Sequence, residues 1–431
     1  MRIWNKKILR LLQSVQKYQY LFLPTVFLLM VSASFILSFH NVSLYEPSNG
    51  FDGKGHLYYI KYVYQNWTTP TPNLGWETHQ SPLYYFLAAV VMNIAGGSWK
   101  VVQYINIFFL WMIIGIAGVG FWKLLKNKNQ AIVGMISLAA LPMLNIFPPM
   151  LGNEMLSTFW IVSALVTLVF LVQETVFKQQ VYYIILFMVC FILGYWTKVS
   201  IITIIPVAIV AGFVILLKNK KERIKLSGIV IALGILALFA ILPIVLRADS
   251  AIGPSNVARA ITTKEYYHSP DFFYRLDWIP NLDIHKAQYY SLWGGAWNSF
   301  WSDGHNAITP FVPFHKKAFV LWSLGFLLFP LSLYGLYRLG KKDLPNALLV
   351  SSIGLTMLAI YFYLNIITLH YSAARLTYVM AIIFPYAAGL AAASKNKKIR
   401  YVIIGLILVQ FVVMASFYWI EPWWHVTQYK P

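Results

Sequence analysis

The residues able to do chemistry in this chain gather in a few short segments between long apolar runs. "FDGKGHLYYI" (51–60) carries Asp52, Lys54 and His56, and "WETHQSPLYYFL" (76–87) adds Glu77, His79 and Gln80. "LGNEM" (151–155) sets Glu154 after Asn153, "YWTKVS" (195–200) holds Lys198, and "LHYSAAR" (369–375) ends in Arg375. A carboxylate at the edge of an apolar run can take the proton of an incoming hydroxyl or hold a divalent cation. Asp52 and Glu154 are candidates for both tasks. The plainer use of Asn153 and Glu154 is to open a helix, where an acid suits the macrodipole. His56, Glu77, His79 and Gln80 lie close to Asp52 and are candidate substrate-binding residues. Their types suit metals, but their spacing matches no dedicated metal motif, and ordinary hydrogen bonding accounts for them as well. Lys198 and Arg375 stand at run ends and suit a phosphate. Pairing with Glu154 or Asp52, or snorkelling to headgroups, is the alternative.

Membrane helices must position these groups. The chain has 431 residues, of which 59% are hydrophobic and 11% charged, where a soluble domain carries about 25% charged. The apolar runs approach twenty residues and are continuous rather than alternating. That pattern predicts an all-α polytopic membrane protein and excludes a barrel. The single cysteine, Cys190, lies inside an apolar run, so no disulfide can form within the chain and no cysteine metal site exists. A net charge of +20 reads as a topology signal rather than a nucleic-acid surface. No P-loop, dinucleotide fingerprint or serine elbow is present, so a nucleotide-bound substrate is not expected.

Apolar runs are predicted at 19–39, 82–97, 100–122, 130–148, 154–173, 181–196, 199–217, 226–246, 318–338, 345–364, 375–393 and 400–419. Run 82–97 rises about 24 Å against a hydrocarbon core of about 30 Å. It is expected at the interface or as a re-entrant piece, beside interfacial helices in the first outer loop, within a total of 11–12 transmembrane helices. With the other eleven runs spanning, the N-terminus and most of the 34 Lys and Arg residues fall on the cytoplasmic side, as the positive-inside rule asks. Of the acids, only Glu174, Glu222 and Asp343 fall there. The candidate residues then share the non-cytoplasmic face. The chain divides into an N-terminal catalytic half (1–246) that includes the outer loop 40–81, a non-cytoplasmic loop (247–317) and a C-terminal bundle (318–431). In that loop Trp293, Trp297 and Trp301 recur at four-residue spacing and are expected on one helical face over the outer surface, as an interfacial belt or a ligand wall.

At these residues the chain resembles the GT-C superfamily of membrane glycosyltransferases, especially bacterial relatives of the protein mannosyltransferases and of the lipid A aminoarabinose transferase. "FDGKGHLYYIKYVYQN" is similar to the family's first outer loop and "HQSPLYYFLAAVV" to the segment before the next span. "LGNEMLSTFWIVSALV" resembles the second acidic position, "GYWTKVSIITIIP" a Thr-Lys element, and "HYSAARLTYVMAIIFP" an Arg-Tyr-Leu element. Gly53 stands where the family carries a second acid, and Leu376-Thr377 where it carries Tyr-Leu. The resemblance implies a polyprenyl-phosphate-linked sugar as donor and an acceptor hydroxyl on a glycan, lipid or protein. It implies an inverting transfer at the non-cytoplasmic face of a membrane such as the bacterial inner membrane. Asp52 would be the general base and Glu154 would orient the acceptor. Lys198 and Arg375 would face the lipid phosphate. A divalent cation on Asp52 and Glu154 is the one cofactor it brings into view. A transporter or flippase of a lipid-linked glycan is the rival reading, and predicts ionisable residues strung through the membrane depth.

Overall fold

Apolar segments in lipid must satisfy their backbone polar groups internally, and a helix does so within one segment. The computed structural model describes residues 2–218, 223–249, 269–276, 287–303, 307–308, 316–367 and 374–421, and all regular structure among them is helical. In chain order the helices are α1 (Arg2–Leu44), α2 (Gly53–Asn66), α3 (Leu83–Ile94), α4 (Lys100–Leu125), α5 (Lys128–Ala139), α6 (Pro142–Asn145), α7 (Glu154–Gln173), α8 (Phe177–Thr197), α9 (Ile205–Lys218) and α10 (Arg223–Asp249). Then follow α11 (Ala287–Tyr290), α12 (Leu292–Trp301), α13 (Lys316–Lys342), α14 (Leu344–Ile367), α15 (Ile383–Ala393) and α16 (Lys397–Tyr418). Ten stretches among the described residues are long and apolar enough to cross a membrane. Eight lie in α1, α4, α7, α8, α10, α13, α14 and α16. The other two, Val199–Lys218 and Leu376–Ala393, are 3-10 turns running into α9 and α15. Run 82–97 forms only the 12-residue α3.

Run 130–148 crosses in broken form. Asn127 Oδ1 accepts from Gln130 N at 3.2 Å and so caps α5 beside the end of α4. Pro142 opens the four-residue α6. By Met150 the chain has returned to the start of α4, where Asn106 Nδ2 donates to Met150 O at 2.6 Å and Gln103 Nε2 donates to Pro149 O. Residues 128–150 therefore travel the length of the bundle as an eleventh crossing. Non-helical backbone is tolerated at such depth only inside protein, and residues 141–153 are all buried. Asn145 Nδ2 donates to Ala139 O at 3.0 Å and to Leu141 O at 2.9 Å, closing the break.

The centre of the bundle is α7 and α15. In each stretch, Glu154–Gln173 and Leu376–Ala393, 83% of the apolar window is buried, against 11% for Ile224–Leu246 in α10. α13 crosses α15 backbone to backbone. Ser332 Oγ donates to Tyr386 O at 2.8 Å, and a Cβ on Gly335 would strike Gly389 O. Close helix approach through small residues is the usual packing device in lipid. Gly335→Ala should therefore lower stability in detergent by about 1–3 kcal/mol through overpacking. Gly405→Ala in α16, where nothing lies within 4 Å of the added methyl, should leave the melting temperature unchanged or raised. Equal melting temperatures for the two variants would refute this account of the crossing.

Two of the stripe tryptophans have a different use from the two expected. Ser291 Oγ accepts from Gly294 N at 3.0 Å and starts α12. Trp301 is 1% exposed, and Trp297 sits 4.6 Å from the Phe326 ring of α13. A Cβ on Gly325 would lie 2.6 Å from the Trp301 indole. Trp293 is turned aside and donates from Nε1 to Phe273 O at 2.9 Å. Trp297 and Trp301 thus form a helix–helix seam in which the large rings fill the space left by a glycine, while Trp293 stays exposed. Most of loop 247–317, including 277–280 of "SPDFFYRLDWIP", lies outside the described residues, as do 369–373 of "LHYSAAR".

Candidate active site

Asp52 precedes the first turn of α2 in a left-handed conformation, φ 53° and ψ 21°, and its side chain caps nothing. For an L residue this backbone costs about 1–2 kcal/mol, least for Asp and Asn, and strain of this kind collects at functional positions. The exposed carboxylate is held instead by the connector, because Trp76 Nε1 donates to Asp52 Oδ1 at 2.9 Å. A Cβ on Gly53 would stand 3.0 Å from the Ser48 carbonyl. A side chain in place of Gly53, where the resembled family carries its second acid, would press on that carbonyl.

Glu154 opens α7, and its side chain is committed to a partner. Lys198 Nζ donates to Glu154 Oε1 at 2.9 Å, with side-chain exposures of 17% and 16%. Asn153 does not cap α7 either. Its Nδ2 donates to Thr197 O at 3.2 Å and to Gln80 Oε1 at 3.4 Å, which joins the connector to the end of α8. The capping use of Asn153 is thereby excluded. A Cβ on Gly152 would collide with Glu154 Oε2, so the glycine leaves the carboxylate its place. Burial disfavours the Lys198 ammonium, but Glu154 outweighs that and holds its pKa above the ordinary lysine value.

Arg375 stands just before the 3-10 turn Leu376–Ile382. Its guanidinium is stacked between the rings of Phe51, 4.5 Å away, and Tyr378, 4.7 Å away. Nη2 donates to Tyr378 Oη at 2.6 Å, while the buried Nε has no partner among the described residues. Burial opposes the charge, yet Tyr378, Asp52 and Glu154 together keep the Arg375 pKa above its usual value.

His56 and Glu77 lie beneath this surface, 2% and 4% exposed. His56 Nδ1 is 2.8 Å from Tyr85 Oη, and Nε2 is 4.0 Å from Glu77 Oε2. Burial first and Glu77 second push the Tyr85 phenol well above its usual pKa. His79 Nδ1 donates to Trp76 O at 3.0 Å within its own turn. The structure therefore brings Asp52, His56, Glu77, Glu154, Lys198 and Arg375 to one end of the bundle. Gln80 joins them through Asn153, and His79 only through the backbone of Trp76.

A small cleft lies beside the Glu154–Lys198 pair, lined also by Ser157, Ser200, Thr377 and Tyr378. It offers one cation, Lys198, and several hydroxyls to an anion, with the carboxylate of Glu154 at its side. The fit to a metal is poor. Divalent oxygen sites take six or more ligands, one Glu154 oxygen already holds an ammonium, and no group of three His, Cys, Asp or Glu residues gathers among the described residues. Trp76, Phe51 and Tyr378 escaped the sequence reading, which gave Asn153 only a helix-opening use. Trp76 is a positioning residue for Asp52. Trp76→Phe, which keeps the ring and deletes the donor, should lower kcat about tenfold at unchanged KM, checked by steady-state kinetics.

No protein-family model matches the sequence, and no curated protein matches it. Solved structures do match. ArnT from Cupriavidus metallidurans bound to undecaprenyl phosphate aligns over 91% of this chain and 75% of its own, with a TM-score of 0.56 at 13% identity. The apo state of that protein aligns over the same shares with a TM-score of 0.56 at 11% identity. The oligosaccharyltransferase of Archaeoglobus fulgidus, in complex with zinc and sulfate, covers 90% of this chain and 53% of its own, with a TM-score of 0.51 at 15% identity. The helical bundle of this chain therefore has the same fold as these two membrane proteins.

Proposed function

We propose that this protein transfers a sugar from a polyprenyl-phosphate-linked donor to an acceptor hydroxyl, at the non-cytoplasmic face of its membrane. The observation that carries the reading is the convergence of Asp52, the Glu154–Lys198 pair and Arg375 at one end of the bundle. The neighbour ArnT holds undecaprenyl phosphate, which supports a polyprenyl phosphate as leaving group here. In the reaction, Asp52 takes the acceptor O–H proton as the new C1–O bond forms. The bond from C1 to the phosphate oxygen breaks, and its electron pair stays on that oxygen. The phosphate gains one negative charge in leaving, which Lys198 and Arg375 neutralise. Glu154 keeps Lys198 protonated and aimed at the cleft. A single base on one side and a leaving group on the other make the displacement inverting. No step is routed through a metal.

One feature favours this reading over a transporter. Among the described residues, charged side chains in the ten long stretches stand within about two turns of a helix end, and none is at mid-depth. A pathway for a charged glycan predicts the opposite. The deciding experiment supplies purified protein with radiolabelled sugars on synthetic polyprenyl phosphates, with and without chelator. Sugar release that inverts the anomeric centre supports the proposal, and sensitivity to chelator would return the metal to Asp52 and Glu154. No release from any donor, together with movement of lipid-linked glycan across proteoliposomes, would establish the transporter instead.

A further inference from the structure

Asp52 Oδ1 accepts from Trp76 Nε1 at 2.9 Å, and among the described residues no other side-chain hydrogen bond or ion pair reaches this carboxylate. Oδ2 is left open on the exposed side. A hydroxyl close enough to give its proton there, at about 3 Å, must lie beside the Trp76 indole. Trp76 is 56% exposed, the most of any described tryptophan.

The turn that carries Trp76 is braced. Gly75 N donates to Thr78 Oγ1 at 3.0 Å, and Thr78 Oγ1 donates to Pro72 O at 2.7 Å. A Cβ on Gly55 of α2 would lie 2.7 Å from Glu77 Cγ, and a Cβ on Gly75 would lie 3.1 Å from the Tyr58 ring. The turn is thus seated directly on α2, the helix that Asp52 precedes, and Trp76 is exposed on a rigid mount. Preorganised aromatic surface of this kind favours an occupant, because little order is lost when it binds.

The bilayer is one occupant to consider. A tryptophan that anchors a protein in the interface turns its N–H to water and headgroups, and Trp67, 50% exposed on the same connector, suits that use. Trp76 spends its N–H on the base instead. Asp52 therefore stands at the edge of the indole, and the ring face remains. A pyranose fits that face. Its axial C–H groups carry partial positive charge and meet the negative face of an aromatic ring. In contact about 4 Å above the indole, it carries its ring hydroxyls outward over the edge where Asp52 stands. A serine, threonine or lipid hydroxyl would reach Asp52 and leave the indole bare.

We propose that Trp76 is the acceptor platform, and that the acceptor is a sugar ring of a glycan stacked on the indole with one hydroxyl at Asp52. The proposal rests on the transferase reading above and names the acceptor class. Trp76 then serves the reaction with separate atoms: Nε1 orients the base, and the ring face orients the substrate.

The test uses full-length protein in nanodiscs, radiolabelled sugars on synthetic polyprenyl phosphates, and three acceptors: water, a panel of methyl hexosides, and a peptide rich in serine and threonine. Trp76→Phe and Trp76→Leu lose the same N–H donor, but only the first keeps a ring face. Release of sugar to water is expected to be equal in the two variants. Transfer to a hexoside is expected to show kcat/KM about tenfold lower in Trp76→Leu than in Trp76→Phe, carried by the KM for the hexoside. Trp67→Leu should match wild type. Equal hexoside KM in the Phe and Leu variants, an equal rise in Trp67→Leu, or no wild-type transfer to any hexoside overturns the proposal. If wild type releases sugar from no donor at all, the transferase reading fails. Saturation-transfer NMR of the methyl hexosides then decides the platform by itself. A signal in wild type and Trp76→Phe that Trp76→Leu loses supports it, and equal signals or none overturn it.

Discussion

Asp52→Asn protein should fold and melt as the wild type does and transfer sugar at least about a hundredfold more slowly, within the range of about 10²–10⁴ for a lost general base. The substitution is unusually clean at this position. Asn shares with Asp the tolerance of left-handed backbone, and φ at Asp52 is 53°. Its amide oxygen can still accept from Trp76 Nε1, now 2.9 Å from Oδ1. The residue is exposed, so no packing is lost. What disappears is basicity. Asp52→Ala would confound the result, since alanine lacks both the local tolerance and the acceptor. Steady-state transfer assays beside thermal unfolding check it. Wild-type turnover in Asp52→Asn would remove the base from the mechanism.

Lys198→Met should destabilise the protein by about 3 kcal/mol, because it strands a mostly buried carboxylate. The figure sits at the low end of that range since the Glu154 side chain keeps 16% of its exposure. Adding Glu154→Gln removes the stranded charge and should restore most of the melting temperature. It should not restore transfer, because the leaving phosphate still lacks its cation. The double variant separates two roles that the ion pair merges. Recovery of both stability and activity would show that Lys198 serves Glu154 alone. Recovery of stability with activity still lost by a hundredfold or more assigns Lys198 to the phosphate.

Legibility in the sequence followed physical range. Runs 154–173 and 400–419 sit close to α7, Glu154–Gln173, and α16, Lys397–Tyr418, since hydropathy alone decides those segments. Run 130–148 was countable as a crossing, but its break was not, because part of what holds the break comes from elsewhere in the chain. Gln103 and Asn106 belong to α4, and Ser34 Oγ of α1 donates to Asn145 Oδ1 at 2.9 Å. The site was legible as residue types at run ends. Its pairings were not, since Phe51 and Arg375 meet at 4.5 Å from opposite halves of the chain. Trp76 had no role in the sequence reading. Nothing in its neighbours announces that its indole reaches Asp52. The tryptophans of α12 had the right spacing, and only the glycine at 325 in another helix gave that spacing its meaning.

The broken crossing has a consequence for how the protein is made. α5 has 12 residues, too few to span lipid alone, and the backbone that follows is completed by side chains of α4 and by Asn145, which Ser34 of α1 holds. A segment with open peptide groups is expelled from hydrocarbon. During synthesis it must therefore wait at the translocation channel or the interface until α4 is seated. α7, which begins only at Glu154, then draws it across from the far side. The stretch that leads into Glu154 is thus among the last parts of the first half to enter the bilayer. Insertion and assembly of that stretch are one event, so a substitution at Gln103 or Asn106 should be read first as a biogenesis defect.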